Sequence, residues 1–99
     1  MIKIKYHYTD DFRRKGFTIK GHADYAPIGQ DIVCSAVTSN AIGIINSLDT
    51  LAKVKFDSVI GQEGFIECLI KEESLNDKTD LLLEHFELTM KFSIGYSRN

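Results

Sequence analysis

Two pairs of short segments in this chain alternate between apolar and polar residues. The first pair is "IKIKYHY" (2–8) and "FTIKGHA" (17–23), and the second is "KVKFDSVI" (53–60) and "FIECLIK" (65–71). Alternation with a period of two places apolar side chains on one face of a β-strand. The linking segments "TDDFRRKG" and "GQEG" are polar or rich in glycine, as is typical of hairpin turns. The sequence therefore predicts two β-hairpins, each with one buried face.

Two longer segments have the period of an α-helix. Asp31 is predicted to be the N-cap of the first, which ends between residues 49 and 52, and Asn76 or Asp77 is predicted to cap the second, which continues to about Gly95. The apolar stripe of the first helix consists of Val33, Val37, Ala41, Ile44, Ile45 and Leu48. The predicted class is α+β: a small, largely antiparallel or mixed sheet of about four strands, with two packed helices, in the order β-β-α-β-β-α.

The second predicted helix carries two apolar stripes on roughly opposite sides. A helix on the surface of a monomer needs only one such stripe. Either the helix is buried between the sheet and the first helix, or one stripe forms a dimer interface. The first stripe consists of Leu82, Leu83, Phe86, Met90 and Ile94, and the second of Leu81, Leu88 and Phe92.

The size and charge of the chain limit its function classes. Its 99 residues are expected to form a single domain (1–99), and the net charge of −2 leaves no basic footprint for nucleic acid. The basic cluster Arg13, Arg14 and Lys15 is interpreted as a solvated turn. There is no apolar run of about 20 residues and no signal-peptide pattern, so we expect a cytoplasmic protein without membrane contact.

His22 and Cys34 bracket a short polar loop. Two cysteines do not make a disulfide framework, so both are expected to be free thiols. Cys34 is predicted in the first turn of a helix, where free amides and the macrodipole favour a thiolate, and a nearby imidazole would take its proton. The amides of Ser35 and Ala36 could stabilise an oxyanion. This pattern favours a nucleophilic Cys–His site.

Structural explanations of the same residues stay open at this point. Cys34 could be a small buried hydrophobic residue, and His22 could simply end a strand. Asp31 could cap the helix or orient His22. Cys68 shares a strand face with apolar residues and is expected in the core. His7 is expected on the polar strand face and His85 at an interface. The sequence has no zinc-ligand spacing and no phosphate-binding loop, so no metal or cofactor is expected.

The stretch "GHADYAPIGQDIVCSAVTS" (21–39) resembles the signature of the ribosomal-processing cysteine proteases of Firmicutes and related bacteria. Ser35 stands where many relatives have alanine, and Thr38 where some have serine; both are small and are expected to leave the site intact. The residues that carry the resemblance are Gly21, His22, Ala23, Gly29, Asp31, Ile32, Val33, Cys34 and Ala36.

The resemblance implies that Cys34 is the nucleophile and His22 the base. It implies cleavage of an N-terminal extension from the precursor of a large-subunit ribosomal protein (the L-twenty-seven family), in ribosome maturation, by a homodimer. It also implies a mobile loop over the site, which includes Asp24, Tyr25, Pro27, Gly29 and Gln30. A ribosome-associated module that binds a peptide without cutting it, or a purely structural dimer, would be the alternatives.

Overall fold

A computed structural model describes residues 2–21 and 28–93, with side chains described for 2–21 and 35–91. His22, Asp24, Tyr25 and Pro27 therefore lie outside the described residues. The strands are β1 (Lys3–Tyr8), β2 (Arg14–Lys20), β3 (Phe56–Gln62) and β4 (Phe65–Ile70), and the helices are α1 (Ile28–Thr50) and α2 (Asp77–Ser93), with a short 3-10 turn at Glu72–Ser74.

The four strands form one sheet in the order β1-β2-β4-β3, and every neighbouring pair is antiparallel. Both predicted hairpins and the order β-β-α-β-β-α are confirmed. The central pair β2–β4 depends on Gly16, because a Cβ at this position would lie 2.0 Å from the carbonyl oxygen of Cys68. Strands β1 and β3 are the edges of the sheet.

The core lies between one face of the sheet and the two helices. Phe17 of β2 stacks on Phe86 of α2 with ring centroids 4.3 Å apart, and Tyr6 meets the same ring edge-on. Cys68 is fully buried, so its predicted place in the core is confirmed. No helix of the described residues covers the other face of the sheet; on it, His7 is hydrogen-bonded to Thr18 at 2.7 Å.

Helix α2 begins as the sequence predicts. The Asn76 side-chain oxygen accepts hydrogen bonds from the backbone N–H groups of Lys78 (2.8 Å) and Thr79 (3.0 Å), which would otherwise lack partners. Two ion pairs connect the first hairpin to this helix, from Arg13 to Asp80 and from Arg14 to Glu87. Both arginines are still partly exposed to solvent, but their guanidinium groups are paired with carboxylates.

The two apolar stripes of α2 have different environments. Leu83, Phe86 and Met90 are buried in the core, whereas Leu81 and Leu88 are 69% and 54% exposed. The interpretation that the second stripe is buried within the chain is therefore wrong for Leu81 and Leu88. Of the other predicted members, the side chain of Phe92 and all of Ile94 lie outside the described residues.

Helix α1 begins at Ile28, three residues before the predicted start. Gly29 and Gln30 are consequently helical and do not belong to a loop. Asp31 is the fourth residue of the helix, so it cannot be the N-cap, and Cys34 is the seventh. The prediction placed the N-cap at Asp31 from its residue type, but the backbone is already helical from Ile28, and a glycine within a helix costs only about 1 kcal/mol relative to alanine.

Candidate active site

Strand β2 and the β3–β4 hairpin meet at one end of the sheet. The N–H of Gly21 donates a hydrogen bond to the carbonyl oxygen of Gly64 in the hairpin turn, at 2.9 Å. Gly21 has a φ of 102°, in the left-handed region that glycine adopts without a steric penalty. The chain therefore leaves β2 beside the hairpin turn, and the next residue is His22.

The backbone of α1 places Cys34 in its second turn. Ser35 follows it and is exposed. The amides of Ser35 and Ala36 lie within the helix, where each N–H bonds to the carbonyl four residues earlier. The free amides of this helix are those of residues 28–31. The helix bounds therefore argue against an oxyanion role for the amides of Ser35 and Ala36. The macrodipole acts most strongly in the first turn of a helix, and Cys34 lies beyond that turn.

An open cleft of about 760 Å³ lies between α1 and the β3 side of the sheet. Gly21 and Ser35 both line it, and these are the chain neighbours of His22 and Cys34. The remaining lining residues come from α1, from the β3–β4 hairpin and from the strand ends: Ile2, Ile19, Val37, Thr38, Ser39, Ile42, Ile45, Asn46, Val59, Ile60, Gly61, Gln62, Glu63, Gly64, Phe65 and Ile66.

The cleft combines apolar walls with polar groups. Ile42 on α1 and Val59 on β3 are 52% and 50% exposed, although both are large apolar residues. Thr38 and Ser39 on the helix and Gln62 in the hairpin add hydroxyl and amide groups. A concave, largely apolar site with a few polar groups is the usual form of a site for a small ligand or a peptide segment.

The other nucleophilic or basic residues lie elsewhere. Cys68 is fully buried, and burial raises the pKa of its thiol to about 12. His7 lies on the uncovered face of the sheet, where burial, with Lys5 adding to the effect, lowers its pKa. It lies on the polar strand face, as the sequence predicts, where it is half-buried and hydrogen-bonded. His85 is exposed on α2 and lines a separate groove between α1 and α2.

Sequence reasoning missed the walls of the cleft. Ile42, Val59 and Gly61 each look unremarkable in their own element, and they form a site only because α1 crosses the β3 side of the sheet. Gly61 carried the one usable signal, since a glycine within a strand often marks close approach of a ligand or another backbone.

Two kinds of feature are absent from residues 2–21 and 28–93. Neither helix there is both long enough and apolar enough to span a membrane. These ranges also contain no group of three or more histidine, cysteine, aspartate or glutamate residues placed to hold a metal ion.

Comparison with known proteins finds a protein family that matches this sequence. The sequence model described as "Cysteine protease Prp" matches residues 1–96. The ribosomal processing cysteine protease Prp of Bacillus subtilis is 33% identical over 88 residues, which are 85% of this chain and 79% of that protein.

Solved structures show the same fold. One is the essential ribosomal processing protease Prp from S. aureus in complex with a substrate peptide, with a TM-score of 0.81 and 21% identity over 94% of this chain and 88% of that one. The same protease with a covalently linked product peptide has a TM-score of 0.77 and 22% identity, over 93% and 87% of the two chains.

Proposed function

Because the chain belongs to the cysteine protease Prp family, and is therefore a cysteine protease, we propose that it removes an N-terminal extension from a large-subunit ribosomal protein of the L-twenty-seven family. The reaction is acyl transfer by a dyad of Cys34 and His22, in the cytoplasm. The observation that carries the proposal is the cleft lined by Gly21 and Ser35, since each predicted catalytic residue is the direct chain neighbour of one of them.

The choice of nucleophile is supported by the state of the other cysteine. The chain has two cysteines, and the attacking species must be a thiolate. Cys68 is fully buried with its pKa raised to about 12, so it stays a protonated thiol at neutral pH and cannot meet a substrate. Cys34 is the remaining candidate, and it precedes a residue that lines the cleft.

The choice of base is supported in the same way. The chain has three histidines. His7 lies on the sheet face opposite the helices, and His85 lines the groove between α1 and α2. Gly21 lines the cleft, and His22 is the next residue in the chain. Within this proposal Asp31 orients His22, because the helix bounds remove its capping role.

The mechanism follows from these roles. His22 takes the proton of Cys34, and the thiolate attacks the carbonyl carbon of the scissile bond. The tetrahedral intermediate collapses, His22 protonates the leaving amine, and water then hydrolyses the thioester. The oxyanion needs donors other than the interior amides of α1, which are already bonded in the helix. The segment that contains Asp24, Tyr25 and Pro27 closes over the bound peptide.

The proposal includes a homodimer. Leu81 and Leu88 are seven residues apart on α2 and both are exposed, so they form one apolar stripe on the outside of the fold. Neither residue lines the cleft, so pairing through this stripe leaves the cleft open to a peptide.

A cleavage assay tests the proposed function. The extended ribosomal protein from the same organism is incubated with the wild type, Cys34→Ala, His22→Ala and Cys68→Ala, and the products are weighed by mass spectrometry. We expect a single cut near the N-terminus with the wild type and with Cys68→Ala, and none with the other two variants. Cleavage by Cys34→Ala at the wild-type rate would refute the assignment of the nucleophile.

A further inference from the structure

Among the residues that the structure describes, strand β3 has one free edge. There it pairs only with β4, since the order of the sheet is β1-β2-β4-β3. A strand at a sheet edge carries backbone N–H and C=O groups without sheet partners, and these can pair with another extended chain. Residues 59–62 of this strand also line the cleft, so the free edge belongs to the same site as the proposed dyad.

The hairpin register shows which residues present these groups. A two-residue turn joins Gln62 to Phe65, and these two residues are paired, so they form a hydrogen-bonded pair. The two kinds of pair alternate along an antiparallel ladder. Ile60 therefore bonds to Glu67 in β4, whereas Val59 and Gly61 direct their N–H and C=O groups to the free edge.

Gly61 is not required by the packing of the described part of the chain. A Cβ at this position would meet no atom of the described residues within 4 Å, and its φ is not in the left-handed region. Glycine within a strand is nevertheless unfavourable, by roughly 0.5–1 kcal/mol relative to alanine. It leaves a gap on the cleft face of β3, between Val59 and the hairpin turn, where another chain has room to place a side chain.

We propose that the peptide substrate binds in the cleft as an added β-strand on the free edge of β3, with one of its side chains in the gap at Gly61. The proposal rests on the proposed function for the identity of the peptide. Pairing with Val59 and Gly61 would hold the peptide main chain at the end of the sheet where β2 leads into His22. Alternate side chains of the peptide would point into the cleft, toward the exposed apolar surfaces of Ile42 and Val59.

The test measures binding without cleavage. A synthetic peptide covering the extension and the cut site is titrated into Cys34→Ala by calorimetry, and then a series of the same peptide with single N-methyl groups at successive amides. An added strand uses every second amide, so we expect at least tenfold weaker binding at alternate positions over a segment of the peptide and little change between them. Uniform effects, effects at consecutive positions, or no binding would overturn strand addition.

A matched pair of glycine variants tests the gap. Gly61→Val in the Cys34→Ala background should weaken binding at least tenfold and leave the melting temperature unchanged or raised. Gly43→Val is the control, because Gly43 also has open space around it but does not line the cleft. Equal binding by the two variants would overturn the role of Gly61. If Gly61→Val changes the oligomeric state instead, the edge pairs with a second copy of the chain and the proposal is wrong.

The unmodified peptide separates this inference from the proposed function. If the wild type does not cut it but Cys34→Ala binds the N-methyl series with a period of two, the proposed cleavage fails and strand addition stands. If the wild type cuts it and the series shows no alternation, cleavage stands and strand addition fails.

Discussion

Cys68 differs from a reactive cysteine in both its surroundings and its acidity. It is fully buried in the core beside β2, and burial raises the pKa of its thiol from 9.0 to about 12. Between these two values the unfolded chain loses this proton while the folded chain keeps it. The folded state then binds more protons, so its stability decreases as the pH rises through this window.

We therefore expect a pH-dependent difference between the wild type and Cys68→Ala. From pH 8 to pH 10, the free energy of unfolding of the wild type should fall by about 1 kcal/mol more than that of the variant. Urea unfolding at the two pH values measures this difference. Tyr6, whose pKa is also raised by burial, contributes equally to both proteins. A constant difference between them would contradict the assignment of the alkaline effect to Cys68.

A row of hydrogen bonds crosses all four strands on the uncovered face of the sheet. The hydroxyl of Thr18 donates to Glu67 at 3.1 Å, and His7 Nε2 lies 2.7 Å from the same hydroxyl oxygen. The other carboxylate oxygen of Glu67 accepts from Ser58 at 2.9 Å. Since Thr18 donates to Glu67, it accepts from the N–H of a neutral His7, which agrees with the lowered pKa of this histidine. Within this row of side-chain hydrogen bonds, Thr18 joins His7 of the first hairpin to Glu67 of the second.

Thr18→Val should break this row while keeping the shape of the side chain. Thr18 is buried, so the substitution leaves the His7 N–H and one Glu67 oxygen without a protein partner, which should cost about 1–2 kcal/mol in the free energy of unfolding. Urea denaturation measures the loss. Thr38→Val is the control, because Thr38 is exposed on α1, and it should change stability by less than about 0.5 kcal/mol. Equal effects at both positions would show that the row does not stabilise the sheet.

The strands and α2 could be predicted because their signals are local. Alternation placed Phe17 inward, and Asn76 was recognised as a cap from its place before a helical pattern. The start of α1 was missed because a local rule, that aspartate is a common N-cap, was applied at Asp31, whereas the helix begins three residues earlier, at Ile28. The position of β4 between β2 and β3 was also not predicted, since it depends on the close approach of Gly16 to Cys68 across 52 residues of chain.

Part of the candidate site could likewise be predicted from a local sequence pattern, and part of it could not. The resemblance proposed His22 and Cys34 as the dyad from one short segment of the chain, residues 21–39, and their roles stay a prediction. The cleft between Ile42 and Val59 is formed by elements distant in the chain, so no local pattern indicates it. Its location could be obtained only after the order of the strands was known.

The molecule as a whole has two exposed apolar surfaces in different places. The cleft lies between α1 and β3, and the exposed stripe of Leu81 and Leu88 lies on the outside of α2. His85, also exposed, lies between these leucines on the same helical face. We expect the same stripe of a second copy to cover this exposed apolar stripe. A twofold axis brings one surface patch against its own copy, so a single stripe is enough to form the interface.

If the proposed homodimer forms through this stripe, the double variant Leu81→Glu with Leu88→Glu should convert it into a folded monomer. Both side chains are already exposed within one chain, so the substitutions remove little packing from the monomer, whereas two like charges meeting their copies across an interface oppose association. Sedimentation velocity measures the mass, and circular dichroism checks the fold. Leu51→Glu is the control, because Leu51 is 57% exposed but lies outside the stripe, and this variant should remain a dimer. A wild type that sediments as a monomer, or a double variant that stays dimeric, would rule out this interface.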